Sequence, residues 1–113
     1  MNPSLDLSDR DRTALDEFAQ RVRQALGPNL VALKLFGSKA TGHAAPDSDL
    51  DVLVLVRDAR TSIEDRVLDL AFDVNLAHEV YISPRVIAEA TLHDPVWRQT
   101  ALVQALLHEA VPL

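Results

Sequence analysis

Leu15, Phe18, Ala19, Val22 and Leu26 recur at intervals of three and four residues, the spacing that gathers side chains on one face of a helix. Ser8 and Asp11 precede them as a capping box, and Gly27-Pro28 ends the run, so the pattern predicts a first helix between those signals. Leu30–Phe36 (LVALKLF) and Asp49–Arg57 (DLDVLVLVR) are apolar and rich in β-formers, which predicts two central strands. The unbroken VLVLV implies a strand covered on both faces, by helix on one side and by loop or partner on the other. Thr61 or Ser62 is placed to cap a second long helix, whose apolar face is Ile63, Val67, Leu70, Ala71, Val74 and Ala77. Glu79–Ser83 (EVYIS) reads as a third strand stopped by Pro84, followed by a helical turn over Val86–Ala90. Pro95–His108 reads as a terminal amphipathic helix with Val96, Leu102, Ala105 and Leu106 inward. Phe72 and Trp97 are expected in the core, with an interface anchor as the other reading of Trp97. The order of elements predicts an α/β or α+β fold, a small sheet flanked by helices, and leaves strand order open.

Length and composition narrow the class. A chain of 113 residues with 48% hydrophobic and 25% charged residues suits one compact domain over 1–113. No apolar run approaches the roughly 20 residues of a membrane span, and the acidic opening MNPSLDLSDRDR lacks the apolar region of a secretory signal. Together with the absence of cysteine, which excludes disulfides and thiolate metal sites, this points to the cytoplasm. The net charge of −6 and a pI near 5.0 have the wrong sign for a protein held to nucleic acid through its phosphates. His43, His78, His93 and His108 show no metal-ligand spacing. Asp69 and Asp73 beside Arg66 read as a solvated helix face.

The chemistry concentrates between Gly37 and Val52. Gly37 closes the first strand and Ser38 opens a turn, where outward backbone N–H groups, a hydroxyl and the Lys39 ammonium suit a phosphate. Asp49 and Asp51 are two residues apart at the start of the second strand, so both carboxylates project from one sheet face while Leu50 and Val52 point to the other. Two adjacent carboxylates repel unless a positive charge lies between them, and a hard divalent cation with oxygen ligands is the natural partner. Cations held in this way can clamp the attacking and leaving oxygens of a phosphoryl or nucleotidyl transfer.

Gly-Ser, ten intervening residues and then Asp-x-Asp resembles the signature of the DNA polymerase β-like nucleotidyltransferase superfamily. The chain is most similar to its minimal nucleotidyltransferase (MNT) branch, through Gly37, Ser38, Ala40, Gly42, Pro46, Ser48, Asp49 and Asp51. EVYISPRV and the closing LLHEAVPL also look like that family, less specifically. The resemblance implies a mixed sheet flanked by helices and transfer of a nucleoside monophosphate from an NTP with release of pyrophosphate. It implies that Gly37 and Ser38, with Lys39 and Ser48, bind the nucleotide, and that Asp49 and Asp51 ligate Mg²⁺ or Mn²⁺. The family supplies a third carboxylate from the neighbouring strand as metal ligand and base. Glu79 is the candidate here; if the family position falls on Tyr81, the third acid is missing.

The acceptor is less constrained. The chain has no room for an appended acceptor domain, and its acidity disfavours a nucleic-acid acceptor. MNT proteins are typically paired with a helical HEPN toxin, so the resemblance implies an antitoxin that moves AMP from ATP to a hydroxyl, commonly tyrosine, of that toxin and forms a homo- or hetero-oligomer. Two alternatives stand beside it. One is a nucleotidyltransferase-fold binding module without turnover; the other is a small-molecule, aminoglycoside-type nucleotidyltransferase with an acceptor pocket built between subunits.

Overall fold

A computed structural model describes residues 7–37 and 49–113. Helix α1 (Asp9–Leu26) leads through a 3₁₀ turn at Gly27–Asn29 into β1 (Leu30–Phe36). Then come β2 (Leu50–Val56), α2 (Thr61–His78), β3 (Ile82–Ala88), α3 (Glu89–His93), a 3₁₀ turn at Trp97–Gln99, α4 (Ala101–His108) and β4 (Val111–Pro112). The sheet order is β3-β2-β1-β4, with β1 antiparallel to β2 and β4, and β2 parallel to β3. The described strands form a mixed four-stranded sheet in an α+β architecture that agrees with the expected class. No helix among the described residues is long and apolar enough to cross a membrane.

The local chemistry of α1 follows its sequence. The Ser8 hydroxyl accepts from the Asp11 N–H, the Asp11 carboxylate accepts from the Ser8 N–H, and Gly27 ends the helix at φ 51°. Its stripe Ala14, Leu15, Phe18, Ala19 and Val22 is buried against Leu33, Leu35, Leu50, Val52, Val54 and Val56 of the sheet and Val67, Leu70, Ala71 and Val74 of α2. The opposite sheet face carries a smaller cluster, Phe36, Leu53, Leu55 and Leu106, with Ile87, Leu92 and Leu102 packed against it. Both faces of β2 are therefore covered, as VLVLV requires. Thr100 caps α4 by accepting from the Val103 N–H.

Several expectations are corrected. The third strand is not Glu79–Ser83 but Ile82–Ala88, because α2 runs to His78 and Glu79 takes the left-handed conformation (φ 54°, ψ 49°) that ends it. Pro84 does not stop the strand. In the parallel β2/β3 register the Leu50 N–H donates to the Tyr81 carbonyl, so residues 81, 83, 85 and 87 face β2 while 82, 84 and 86 face outward. The missing N–H of Pro84 lies on the free edge, where it breaks no ladder bond. The strand thus extends through Val86–Ala88, where a helical turn was expected, and the short helix begins at Glu89. The terminal helix is α4 alone, preceded by the 3₁₀ turn; Leu106 is buried, Leu102 and Ala105 half-buried, and Val96 exposed. Arg60, rather than Thr61 or Ser62, is the N-cap of α2, and Ala77 is exposed. Phe72 (63% exposed) and Trp97 (49% exposed) are outside the core. Phe72 joins Leu68 and Leu76 in a ridge of its own, turned away from the buried Val67, Ala71 and Val74 by the helical period. β4 escaped the pattern because two residues carry no periodicity.

Asn75 occupies a structural position that composition does not reveal. Its side-chain oxygen accepts from the Ile82 N–H at 2.7 Å, and its side-chain amide donates to the Ile82 carbonyl at 3.1 Å. One side chain thereby satisfies both outward groups of the first β3 residue, as a neighbouring strand would. Asn75→Ala leaves two part-buried backbone groups unpaired and is expected to lower stability by about 1–3 kcal/mol, measurable by chemical denaturation. An unchanged midpoint would show that water replaces the amide without loss.

Candidate active site

Asp49 immediately precedes β2 and is exposed; Asp51 is its second residue and half-buried. The alternation of β2 sends Leu50, Val52 and Val54 into the main core, so Asp49, Asp51, Leu53 and Leu55 share the other face. Across the hairpin Phe36 pairs with Asp51, and Gly37 follows Phe36. Gly37 sits at φ 77°, and a Cβ built on it would lie 2.5 Å from Asp51 Oδ2. The glycine serves two purposes here: it adopts a left-handed conformation, and it lets the carboxylate lie against the backbone.

On the other side of β2, Asp51 pairs with Ser83 and Leu53 with Arg85, both on the acidic face. Burial pushes the Asp51 carboxyl above its ordinary pKa, the negative charge of Asp49 raises it further, and the Arg85 guanidinium works in the opposite direction. A pair of carboxylates in mutual repulsion, with oxygen-only donors and a glycine-lined seat, fits a hard divalent cation such as Mg²⁺ or Mn²⁺. Asp49 and Asp51 would hold it, and Gly37 provides the space beside them.

Of the residues singled out from the sequence, Gly37, Asp49 and Asp51 are brought together. Ser38, Lys39 and Ser48 lie outside the described residues, as does His43. Glu79 is not brought to the pair: it ends α2 rather than lying on a strand, its side chain is 82% exposed, and it faces Arg10 at 3.9 Å. Among the described residues no group of three His, Cys, Asp or Glu side chains forms a metal cluster. Tyr81, one step ahead of the Leu50/Ile82 pair, occupies the strand position beside Asp49. Arg85 was missed because Pro84 reads as a strand stop; the alternation Ser83, Arg85, Ile87 was the available signal. Asp69, Asp73 and Arg66 are exposed, as expected, and His78 is engaged by Glu17 of α1 at 3.0 Å.

Comparison with known proteins bears on the same elements. The "Putative protein adenylyltransferase MJ1305" of Methanocaldococcus jannaschii is 36% identical over 73 residues, 62% of this chain, and the match spans half the length of that relative. "Putative protein adenylyltransferase MJ0141" from the same organism is 34% identical over 71 residues, covering 62% of this chain and 72% of the relative. A solved "putative minimal nucleotidyltransferase" superposes with a TM-score of 0.56 at 27% identity, over 96% of this chain and 99% of that one. A chain from a toxin-antitoxin crystal structure with AMP-PNP superposes with a TM-score of 0.54 at 22% identity, over 84% and 68%, and shares the fold. The profile of the nucleotidyltransferase domain matches residues 15–103, from α1 to α4, and the chain belongs to that family.

Proposed function

We propose that the chain transfers AMP from ATP to a hydroxyl of a partner protein and thereby acts as an antitoxin toward it. The carrying observation is the pair Asp49 and Asp51 on one sheet face, seated against Gly37 at the end of β1. In the reaction the acceptor oxygen attacks the α-phosphorus, the bond between the α-phosphorus and the bridging oxygen breaks, pyrophosphate leaves, and the hydroxyl proton passes to base or water. A bound Mg²⁺ or Mn²⁺ would neutralise charge developing on the phosphoryl oxygens. The chain's own part is to position: Asp49 and Asp51 fix the cation, Gly37 admits close approach, and Ser38, Lys39 and Ser48 are assigned to the phosphates by their place in the motif. The names of the two archaeal relatives support a protein as acceptor, and the solved toxin-antitoxin structures support a toxin as partner. A HEPN toxin with a tyrosine acceptor is the specific form of this proposal.

The test is transfer of label from α-labelled ATP, with Mg²⁺ or Mn²⁺, into proteins of a lysate that contains the partner, with γ-labelled ATP as control. Label from the α-position alone, lost when Asp49 and Asp51 become Asn, is the expected result. A second reading, a nucleotide-binding module without turnover, is favoured by the placement of Glu79 and the presence of Tyr81 beside Asp49. Absence of label with the partner still co-purifying would select it. Because Glu79 is exposed and its ion-pair partner among the described residues is Arg10, Glu79→Gln is expected to change transfer by no more than about threefold, the scale of a surface ion pair. A hundredfold loss in kcat would return Glu79 to the catalytic set.

A further inference from the structure

We propose that Tyr81 is a modification site of the chain itself, whose phenol oxygen accepts AMP from ATP bound at Asp49 and Asp51 of the same molecule. This rests on the nucleotidyl-transfer reading above and adds an acceptor within the chain to the one on a partner. The ladder between β2 and β3 pairs Leu50 with Ile82 and Asp51 with Ser83, and the Leu50 N–H donates to the Tyr81 carbonyl. One step back along these parallel strands, Tyr81 stands beside Asp49. Val80 and Ile82 are buried in the main core together with Leu50. The alternation of extended backbone therefore assigns Tyr81 to the opposite face, which carries Asp49 and Asp51. Tyr81 is 70% exposed, and among the described residues its hydroxyl has no hydrogen-bond partner.

The order of residues across the sheet suits an in-line displacement. Phe36 pairs with Asp51 from the β1 side, so Gly37 reaches the carboxylates on that flank, while Tyr81 reaches them on the β3 flank. Phosphates seated at Gly37 put the leaving pyrophosphate on one side of the α-phosphorus and open the other side to the phenol, which brings the attacking and leaving oxygens into line. Neighbouring strands lie about 4.8 Å apart, and a tyrosine side chain is long enough to carry its oxygen across that spacing. The Ser83 hydroxyl, on a far shorter side chain, stays close to its own strand. In the step itself the Tyr81 oxygen attacks the α-phosphorus, the bond between the α-phosphorus and the bridging oxygen breaks, pyrophosphate leaves, and the phenol proton passes to water. A phenol gives up that proton more readily than an aliphatic alcohol, so the step asks less of a third carboxylate, which Glu79 does not bring to the pair.

The experiment incubates the purified chain alone with Mg²⁺ and α-labelled ATP and locates the label by peptide mass mapping. One AMP on Tyr81 is expected, and the fraction labelled per unit time should not change with protein concentration, since donor site and acceptor belong to one molecule. Tyr81→Phe, which removes only the hydroxyl, is expected to lose the label and keep its melting temperature, whereas Ser83→Ala keeps the label. A second measurement tests the placement without turnover. Tyr81 is the single tyrosine of the chain, so incorporation of fluorotyrosine gives one fluorine resonance. Mn²⁺ with an ATP analogue that cannot be cleaved at the α-phosphorus should broaden that resonance in the otherwise wild-type chain and leave it sharp when Asp49 and Asp51 become Asn. No label, label on another residue, label retained by Tyr81→Phe, a labelling rate that rises with protein concentration, or a resonance that Mn²⁺ leaves sharp would each overturn the proposal. Transfer into the partner is scored separately in the lysate. Label on the partner and none on Tyr81 removes the self-acceptor alone, and label on Tyr81 with none on the partner removes the partner-acceptor reading alone.

Discussion

Replacing Asp49 and Asp51 by Asn together is expected to reduce nucleotidyl transfer by about a thousandfold or more, the scale seen when the groups that stabilise charge in a transferring phosphoryl are removed. The same variant should be no less stable than wild type. Asp51 has a carboxyl raised above its ordinary value of 3.8 by burial first and by Asp49 second, so its protonated form is favoured in the fold. Below the unfolded pKa the carboxyl is neutral in both states and nothing is lost; as pH rises through the raised folded pKa the repulsive charge appears and stability declines. In chelator-treated buffer the Asn variant should therefore melt higher than wild type at pH 7 and equal to it near pH 3. Scanning calorimetry at the two pH values checks this. Activity persisting in the double variant, or a lower melting temperature at pH 7, would separate these carboxylates from the chemistry or from each other.

Gly37→Ala is the second large effect, and it combines two costs. At φ 77° an L-residue is strained, by about 1–3 kcal/mol, and its Cβ would fall 2.5 Å from Asp51 Oδ2. The carboxylate must move, and a displacement on the order of 1 Å in a reacting group costs about a hundredfold in rate. Transfer should drop by about that factor with nucleotide affinity less affected, since the displaced group is the one proposed to hold the cation rather than to contact the base or ribose. Gly27→Ala is the matched control. Gly27 is also at positive φ, but a Cβ there meets nothing within 4 Å, so strain remains and transfer is unaffected. Equal activity of the two variants would show that contact with Asp51 has no role in the reaction.

The sequence was informative wherever one physical signal dominated. The capping box at Ser8 and Asp11, the stripe from Leu15 to Leu26 and the run VLVLV specify α1 and β2 without any knowledge of their partners. The pairing of Asp49 and Asp51 was legible for the same reason, since a period of two places both carboxylates on one face. What escaped depended on neighbours. Pro84 ends a strand only if its N–H is needed, and that depends on which side of β3 faces β2. Glu79 reads as strand by its β-prone successors, yet it ends a helix whose last turn is tied by Asn75 to Ile82. Arg85 came into view only with that register, which also puts Tyr81, the other position considered for the third acid, beside Asp49. Apolarity alone points Phe72 to the core and leaves Trp97 between core and interface anchor, because it does not distinguish a residue that packs within the fold from one displayed on its surface.

The seal that Asn75 places on Ile82 also protects β2. β2 is the most aggregation-prone segment by composition, a β-branched and leucine run without proline or glycine and buried almost throughout. Among the described residues, a single strand, β3, lies between it and the edge of the sheet on that side. Pro84 denies an incoming chain one donor and Asn75 occupies both groups of Ile82, so β3 offers too short a template for copies of the chain to stack into a continuous cross-β array. Asn75 and Pro84 are in this sense gatekeepers: they interrupt the edge, and they keep VLVLV from serving as the core of a fibril.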